Sequence, residues 1–359
     1  MTLRTISWVW MALSKTCATL PDRRVVPVLA ASNTGVLHPD AMYEILLRLP
    51  ARELCRLRVV CRPWRALLSD PHFIAAHSAR HPEPLIVAGY SAKYGDHGIL
   101  CDIMDLSGRV VKRFQATGAT RDRQEIVSVQ TDLVCIKNGT GMMCRLLNLA
   151  TGSVCTLPQG FADEHVVDPW NMDTYRALVA FGQVCSTGEY KVLRVLGSLF
   201  YRQWLYEVFT IGGSNARWRG KQAPTYRVIL SYWNNVVVNG NVYFFTDLMD
   251  QYKRDHIALF DLETEEWSPS IRGPLSSLAN NAAGLANNHI DWGHLSIAGL
   301  GGCLVVAHCT SLALDLWFLM DFQKSLWVKQ HSLQVNLSTQ HLEYFLHPLL
   351  VLNDGRIVT

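Results

Sequence analysis

Hydrophobic and polar residues are spaced differently in two parts of this chain. From Leu37 to His77 the apolar residues recur every three to four positions, which is the spacing of amphipathic helices. From about residue 85 onward the apolar runs are short, rich in β-branched and aromatic residues, and separated by Gly, Asn and Asp. Such runs are typical of strands joined by turns. The pattern predicts a small all-α unit followed by a large all-β domain.

Three short helices are predicted in the first unit. Asp40 suits the first turn of a helix and Pro50 forbids continuation, so the first helix spans roughly Asp40–Leu49. The second is expected to begin near Arg52, and Pro63 should bend it or end it. Its apolar face would carry Leu54, Leu57, Val60, Cys61, Trp64 and Leu67.

The third helix is predicted to start within the segment Phe73–His77, after a turn formed by Ser69, Asp70 and Pro71. Three helices of about forty residues in all cannot bury enough apolar surface to be firmly stable alone. We therefore expect this unit to pack against a neighbour or a partner.

A loose repeat runs through the β domain. A strand that ends in Asp or Asn is followed by a turn with Thr or Gly and then by an apolar strand, at intervals of roughly 50 to 60 residues. The copies are 146–158, 259–269 and 319–333, with 206–220 as a fourth. Trp218, Trp267 and Trp327 occupy matching places in them, which predicts that they are core residues.

Composition narrows the class of protein. The 359 residues are 49% hydrophobic, which favours two unequal domains, and 33 basic against 30 acidic residues leave a net charge of +3. That balance gives no argument for a nucleic-acid or membrane partner. The ten cysteines form no Cys-x-x-Cys pair, so we interpret them as reduced thiols of a cytoplasmic or nuclear protein.

The first 35 residues are predicted to be a disordered leader. The apolar stretch Ile6–Leu13 after Arg4 faintly resembles a signal peptide, but Ser7 breaks it and it is short. We therefore interpret these residues as a flexible leader or as an overextended start of translation, rather than as a secretion signal.

Candidate chemistry is sparse. The chain has no Gly-x-Ser-x-Gly elbow, no phosphate-binding Gly-rich loop and no His-Glu-x-x-His helix. His289, Asp291 and His294 lie close in sequence, but their Asn-rich surroundings favour a loop over a metal site. We therefore expect no catalytic residues, no metal and no cofactor.

The helical unit resembles a plant F-box. The resemblance rests on an ordered series of residues: Leu37, Pro39, Asp40, Glu44–Pro50, Leu54, Val60, Cys61, Trp64, Arg65, Asp70, Pro71 and Phe73. One departure is His38, which separates Leu37 from Pro39 where the family has Leu and Pro adjacent. Taken as residues 36–80, the F-box implies docking to an SKP-family adaptor and through it to a cullin.

The resemblance also implies which residues do this. The adaptor-binding surface would consist of Leu37, Pro39, Ile45, Leu46, Leu49, Pro50 and Leu54. The alternative is that these residues are internal core. We favour contact for Leu37, Pro39 and Leu46, and core for Val60, Trp64 and Leu67.

The remainder, 85–359, looks like the F-box-associated β-propeller domain. The family usually continues for another hairpin after a strand such as the one in PLLVLNDGRIVT, so the last blade is expected to be incomplete or to be completed from elsewhere, such as the strand near Pro84–Tyr90. The fold implied is a three-helix F-box followed by a propeller-like repeat domain.

Together these resemblances imply a substrate receptor of a ubiquitin ligase that binds an unidentified protein. The alternatives are a ligand-binding or hydrolytic propeller and an F-box protein that acts outside the ligase. Aromatic residues in or beside the predicted loops could anchor a protein, although most should pack between blades. They are Trp170, Tyr175, Tyr201, Trp204, Tyr232, Trp233, Tyr252 and Trp292.

Overall fold

The protein forms two compact units, Ser14–Leu85 and Met1–Leu13 with Ile86–Thr359. A computed structural model describes residues 9–12, 38–49, 53–54, 57–80, 85–91, 98–117, 124–130, 132–138, 142–149, 151–165, 174–198, 203–213, 216–229, 235–247, 255–281, 294–335, 347–351 and 357–358. The first unit is helical and the second is built from strands.

The helical unit contains α1 (Pro39–Arg48), α2 (Arg62–Leu67) and α3 (Pro71–Arg80). Asp70 caps α3, because its carboxylate accepts the backbone N–H of His72 at 2.7 Å. The first and third helices thus lie where the sequence predicts them. Between α1 and α2, Glu53, Leu54 and Leu57 are also helical, and the backbone N–H of Arg58 donates to the carbonyl of Leu54 at 3.2 Å, so a helix lies near the predicted start at Arg52. The chain then turns over Arg58–Val60, and Pro63 lies in the first turn of α2, where it needs no hydrogen-bond partner.

The strand unit is a propeller of five blades, each an antiparallel sheet whose strands follow one another in the chain. Blade 1 contains β1 (Val9–Ala12), β2 (Ile86–Ser91), β3 (Gly98–Met104) and β4 (Val110–Thr117). Blade 2 contains β5 (Gln124–Gln130), β6 (Leu133–Asn138), β7 (Cys144–Asn148) and β8 (Val154–Thr156). Blade 3 contains β9 (Tyr175–Gln183), β10 (Tyr190–Ser198), β11 (Gln203–Thr210) and β12 (Arg219–Lys221).

The remaining blades are built in the same way. Blade 4 contains β13 (Arg227–Val228), β14 (Asn235–Val238), β15 (Asn241–Asp247), β16 (Ile257–Asp261) and β17 (Glu266–Ile271), and α4 (Pro274–Asn281) follows it. Blade 5 contains β18 (His294–Leu300), β19 (Cys303–Cys309), β20 (Ala313–Asp321) and β21 (Leu326–Gln334). A short pair, β22 (Leu350–Val351) with β23 (Ile357–Val358), comes last.

The blades bury both faces of their sheets. Along β9, Val179 and Phe181 pack against blade 2, whereas Leu178 and Ala180, one residue out of step, pack against blade 4. Successive side chains of a strand point to opposite faces, so one strand supplies two cores. The core of the propeller therefore lies between blades.

The repeated turns have a common geometry. The first residue of each turn accepts a backbone N–H: Asn148 from Thr151 (2.9 Å), Asp261 from Glu263 (2.7 Å) and Asp321 from Lys324 (3.1 Å). The fifth residue has a positive φ: Gly152 (76°), Glu265 (58°) and Ser325 (49°). These matching turns explain the repeat in the sequence, since Asp and Asn hydrogen-bond the backbone of a turn that they begin.

The tryptophans of the repeat are core residues, as predicted. Trp218 and Trp327 are buried, and Trp267 packs in the cluster between blades 3 and 4. The fourth copy, 206–220, spans β11 and β12, with Trp218 donating its indole N–H to the carbonyl of Pro158 at 2.7 Å.

Blade 1 differs from expectation in two ways. Four residues of the predicted leader form β1, which pairs with β2 from Val9 opposite Gly89 to Ala12 opposite Ile86. The strand near Pro84–Tyr90 was one candidate to complete the last blade, but as β2 it lies between β1 and β3. Pairing between residues so far apart in the chain leaves no local signal.

Candidate protein-binding surfaces

The helical unit has a small core of its own. Its buried residues are Leu46, Leu47, Leu54, Leu68 and Phe73. Tyr43 meets Phe73 edge to face, with ring centroids 5.2 Å apart. His38 lies at the N-cap of α1, where its Nδ1 accepts the backbone N–H of Asp40 at 3.4 Å. The departure at His38 is thus compatible with a capped helix.

The predicted adaptor-binding residues separate into different environments. Leu46 is only 2% exposed and Leu54 only 7%, so neither presents a surface to a partner. Ile45 is 46% exposed, and Leu49 is half-buried against the core. Pro39 begins α1. Leu37 and Pro50 lie outside the described residues.

Of the predicted core residues, two pack inside and one does not. Trp64 and Leu67 lie against the core cluster, whereas Val60 is 60% exposed. The expectation for Val60 is wrong because it placed Val60 on the same apolar face as Trp64 and Leu67, on the other side of Pro63. The turn before α2 rotates Val60 out of the apolar face, and Cys61 follows it with extended backbone.

That turn creates an exposed surface that we call the arginine patch, formed by Arg58, Val59, Val60, Cys61, Arg62 and Arg65. Val59 is 87% exposed, and five of the six residues line an open depression of about 720 Å³. Within the described residues no carboxylate pairs with Arg58, Arg62 or Arg65. Sequence reasoning missed this surface, although Pro63 marked the position at which the helix must start anew.

A buried ion pair holds blade 3 to the segment that precedes it. Arg194 and Glu207 are both fully buried, and the Arg194 Nε donates to Glu207 Oε2 at 2.9 Å. Arg194 also donates to the carbonyl of Gly160 at 2.6 Å, and Glu207 accepts the backbone N–H of Ala162 at 2.7 Å. The guanidinium lies 4.0 Å from the ring centre of Trp218. Each nitrogen of the guanidinium and each oxygen of the carboxylate thus has a hydrogen-bond partner within the protein.

A second polar cluster joins blade 3 to the turn between β16 and β17. Lys191, Arg219 and Lys221 all pair with Glu265, the first at 2.9 Å and the second at 2.5 Å. Arg219 and Lys221 are two apart on β12 and therefore share a face. Burial favours a raised pKa for Glu265, but hydrogen bonds from Lys221, Lys191 and Arg219 outweigh it and lower the pKa to about 2.

We expect this cluster to make propeller stability depend on pH in acid. The folded-state pKa of Glu265 lies below its ordinary value of 4.5, so the stabilisation is complete above pH 4.5 and is lost as the pH falls towards about 2. Thermal melting from pH 6 to pH 2, compared between the wild type and Glu265→Gln, measures it. The variant should lose part of the acid dependence, whereas parallel profiles would contradict the assignment.

The two ends of the propeller differ. At one end, which we call the hairpin end, tight turns of neighbouring blades touch: Asn239 Nδ2 donates to the carbonyl of Gly302 at 3.0 Å, and Ser186 donates to Glu263 at 2.6 Å. The strand bounds place the longer connections at the opposite end, the loop end. Among them are 157–174, 248–256 and 272–293.

The predicted aromatic anchors belong mostly to these longer connections. Tyr175 is an exception, because it begins β9, is buried and donates to Gln203 at 2.8 Å. Trp204 is half-buried in β11 under the guanidinium of Arg227. Neither is therefore a free anchor. Trp170, Tyr201, Tyr232, Trp233, Tyr252 and Trp292 lie outside the described residues.

Reactive chemistry is not concentrated anywhere in the described part of the chain. No group of three or more His, Cys, Asp or Glu there could hold a metal ion, and His289 and Asp291 lie outside it. All the cysteines it contains are free thiols, and burial raises the pKa of Cys101 to about 12 and that of Cys144 to about 11. Such thiols are poor nucleophiles. Among the same residues no helix is both long and apolar enough to cross a membrane.

A small helical module and a five-bladed propeller in one chain define the class of protein. Two sequence families match the chain, the F-box domain over residues 36–75 and the F-box-associated beta propeller domain over residues 101–359. The protein belongs to the F-box-associated β-propeller family.

Its relatives agree with this. An F-box protein of Arabidopsis thaliana is 22% identical over 83% of this chain and 72% of its own length. An F-box/LRR-repeat protein of the same plant is 24% identical over 64% of this chain, which spans only 54% of that relative. A putative Arabidopsis F-box protein is 45% identical over 49 residues, 14% of this chain.

Solved structures are only distantly similar. The Dos1 propeller shares 11% identity over 72% of this chain and 57% of its own, with a TM-score of 0.36. An ACO/RPE65 chimera shares 11% over 74% of this chain and 60% of its own, with a TM-score of 0.41. Scores this low carry no argument about function.

Proposed function

We propose that the protein is a substrate-recognition subunit of an SKP-cullin-F-box ubiquitin ligase, without catalysis of its own. The observation that supports this most is the combination of an F-box with an F-box-associated propeller in one chain. The F-box would dock an SKP-family adaptor and through it a cullin, while the propeller holds a protein substrate. Holding the substrate near the ubiquitin-loaded enzyme supplies the proximity that transfer needs.

The arginine patch is the surface of the F-box best suited to the adaptor. Val59 and Val60 have apolar side chains that are exposed to solvent. Exposed apolar groups surrounded by polar ones mark protein interfaces. Arginine is enriched in such interfaces, and three guanidinium groups that pair with no carboxylate among the described residues favour an acidic partner surface. Ile45 is a further exposed apolar residue from the predicted set. Leu46 and Leu54 lie in the core cluster against which Trp64 of α2 packs.

The substrate would bind at the loop end of the propeller. Turns at the hairpin end are short and tied to one another, which leaves little freedom to vary their shape. Longer connections at the loop end can differ in length and sequence without disturbing the blades. Six of the predicted aromatic anchors belong to connections of this kind.

Replacing Val59 and Val60 together by aspartate should weaken adaptor binding by more than about tenfold. Both side chains project into solvent, so the helical unit should stay folded. Calorimetric titration of the full chain with a purified SKP-family adaptor measures the affinity. Leu312→Asp is the matched control, because Leu312 is 74% exposed in the propeller and should leave binding unchanged.

Unchanged adaptor affinity in the Val59/Val60 variant would reject this docking surface, and no binding by the wild type would reject the proposed function. Affinity purification with the proteasome inhibited then tests whether the F-box binds the adaptor and the propeller binds the substrate. Substrates should stay on the variant while adaptor and cullin are lost.

A further inference from the structure

Ser69 lies between α2 and α3 and is exposed, with its hydroxyl between the Arg58 guanidinium and the backbone carbonyl of Arg65. The Arg58 Nη2 donates to Ser69 Oγ at 2.5 Å, and Ser69 Oγ donates to the backbone carbonyl of Arg65 at 2.6 Å. Ser69 directly precedes Asp70, the residue that caps α3. The hydroxyl is therefore held beside the arginine patch and remains open to solvent.

The charge around Ser69 is not balanced. Arg58, Arg62 and Arg65 carry three positive charges within eight residues, and no carboxylate among the described residues pairs with them. Asp70 adds one negative charge beside Ser69, but its carboxylate is engaged with backbone N–H groups of α3. Among the described residues, the Arg58 guanidinium that contacts the Ser69 hydroxyl thus has no carboxylate partner.

A turn alone does not explain this arrangement. Asp70 already caps α3, and a neutral hydroxyl uses only one donor of Arg58. A phosphate group carries close to two negative charges and three acceptor oxygens, which is the chemistry that an arginine cluster binds best. It would also lie just before the first turn of α3, where negative charge is favourable.

We propose that Ser69 is a phosphorylation site whose phosphoserine is held by Arg58 beside the arginine patch, and that the modification withdraws the arginine patch from its partner. A protein kinase transfers the γ-phosphoryl group of ATP: Ser69 Oγ bonds to the γ-phosphorus, the bond from that phosphorus to ADP breaks, and the hydroxyl proton leaves. The added charge neutralises the patch. Because the partner is the adaptor of the proposed function, this second half of the inference rests on that function.

The first experiment is independent of the adaptor. The full chain is prepared with phosphoserine installed at position 69, and the phosphate is titrated by phosphorus NMR. Neighbouring guanidinium groups should lower its second pKa below about 6. The variant Arg58→Gln with Arg65→Gln should return that pKa to its ordinary value, and a pKa that is normal in both proteins would overturn the proposal.

The second experiment asks whether the site is used and what it does. Chain isolated from plant cells with phosphatases inhibited should carry phosphate on the peptide containing Ser69, and Ser69→Ala should not; peptide that is always unmodified would overturn the proposal. The phosphoserine chain should bind the adaptor about tenfold more weakly than the unmodified chain. Equal affinity would overturn the regulatory role alone, whereas an unmodified chain that does not bind adaptor would reject the proposed function instead.

Discussion

Glu207→Leu should destabilise the propeller by about 3 to 5 kcal/mol. Arg194 would remain fully buried with no carboxylate, still held to the carbonyl of Gly160 and the ring of Trp218. An unpaired charge in a dry site costs far more than the pair contributes when it is intact. Urea unfolding of the full chain, followed by tryptophan fluorescence, measures the change.

Two control variants distinguish the cost of an unpaired buried charge from a general loss of packing. The double variant Arg194→Met with Glu207→Leu removes both charges and should recover much of the loss, although the N–H of Ala162 loses its acceptor. Arg109→Met breaks a surface ion pair with Asp105 and should leave the free energy of unfolding nearly unchanged. If the double variant were as unstable as Glu207→Leu, the buried charge would not be the cause.

Leu46→Asp should unfold the helical unit and leave the propeller folded. Leu46 is 2% exposed within a core that has five buried residues among those the structure describes, so a carboxylate there would lie among apolar side chains. Truncating a buried leucine costs about 2 to 5 kcal/mol, and burying a charge adds to that. A unit this small has little stability to lose. Loss of helical circular dichroism and rapid proteolysis within residues 14–85 of the full chain measure it.

The neighbouring residue provides the matched control. Ile45 is 46% exposed on the same helix, so Ile45→Asp should keep the helical signal and protease resistance. Persistent helix in Leu46→Asp would contradict the core assignment. Lost adaptor binding in Leu46→Asp alone reports unfolding, whereas a loss in Ile45→Asp with the helix intact reports contact.

Much of the architecture could be predicted because its determinants are local. Pro50 lies just beyond the residues that form α1, and Asp70 caps α3, each acting within one turn of helix. The repeated turns of the propeller likewise depend on an Asp or Asn and a residue of positive φ four positions later. Fold class and most elements follow from such signals.

Val60 shows where local reasoning failed. The apolar spacing from Leu54 to Leu67 fits one helix, but a proline is most stable in a first turn, so the chain starts a new helix there. That choice turns Val59 and Val60 outward and groups three arginines around them. The candidate docking surface therefore depends on how a single helix boundary is resolved.

Local sequence accounts for the two units, the repeat and the positions of most helices and strands, because caps, turns and alternating side chains act over a few residues. Contacts between distant residues settle the rest. Val9–Ala12 becomes a strand only by pairing with Ile86–Gly89, Glu265 meets its three cations only when blades 3 and 4 pack, and Arg194 is tolerated only because Glu207 and Gly160 converge on it. Such partners leave no periodic trace in the chain, since nothing within one turn or one strand selects them.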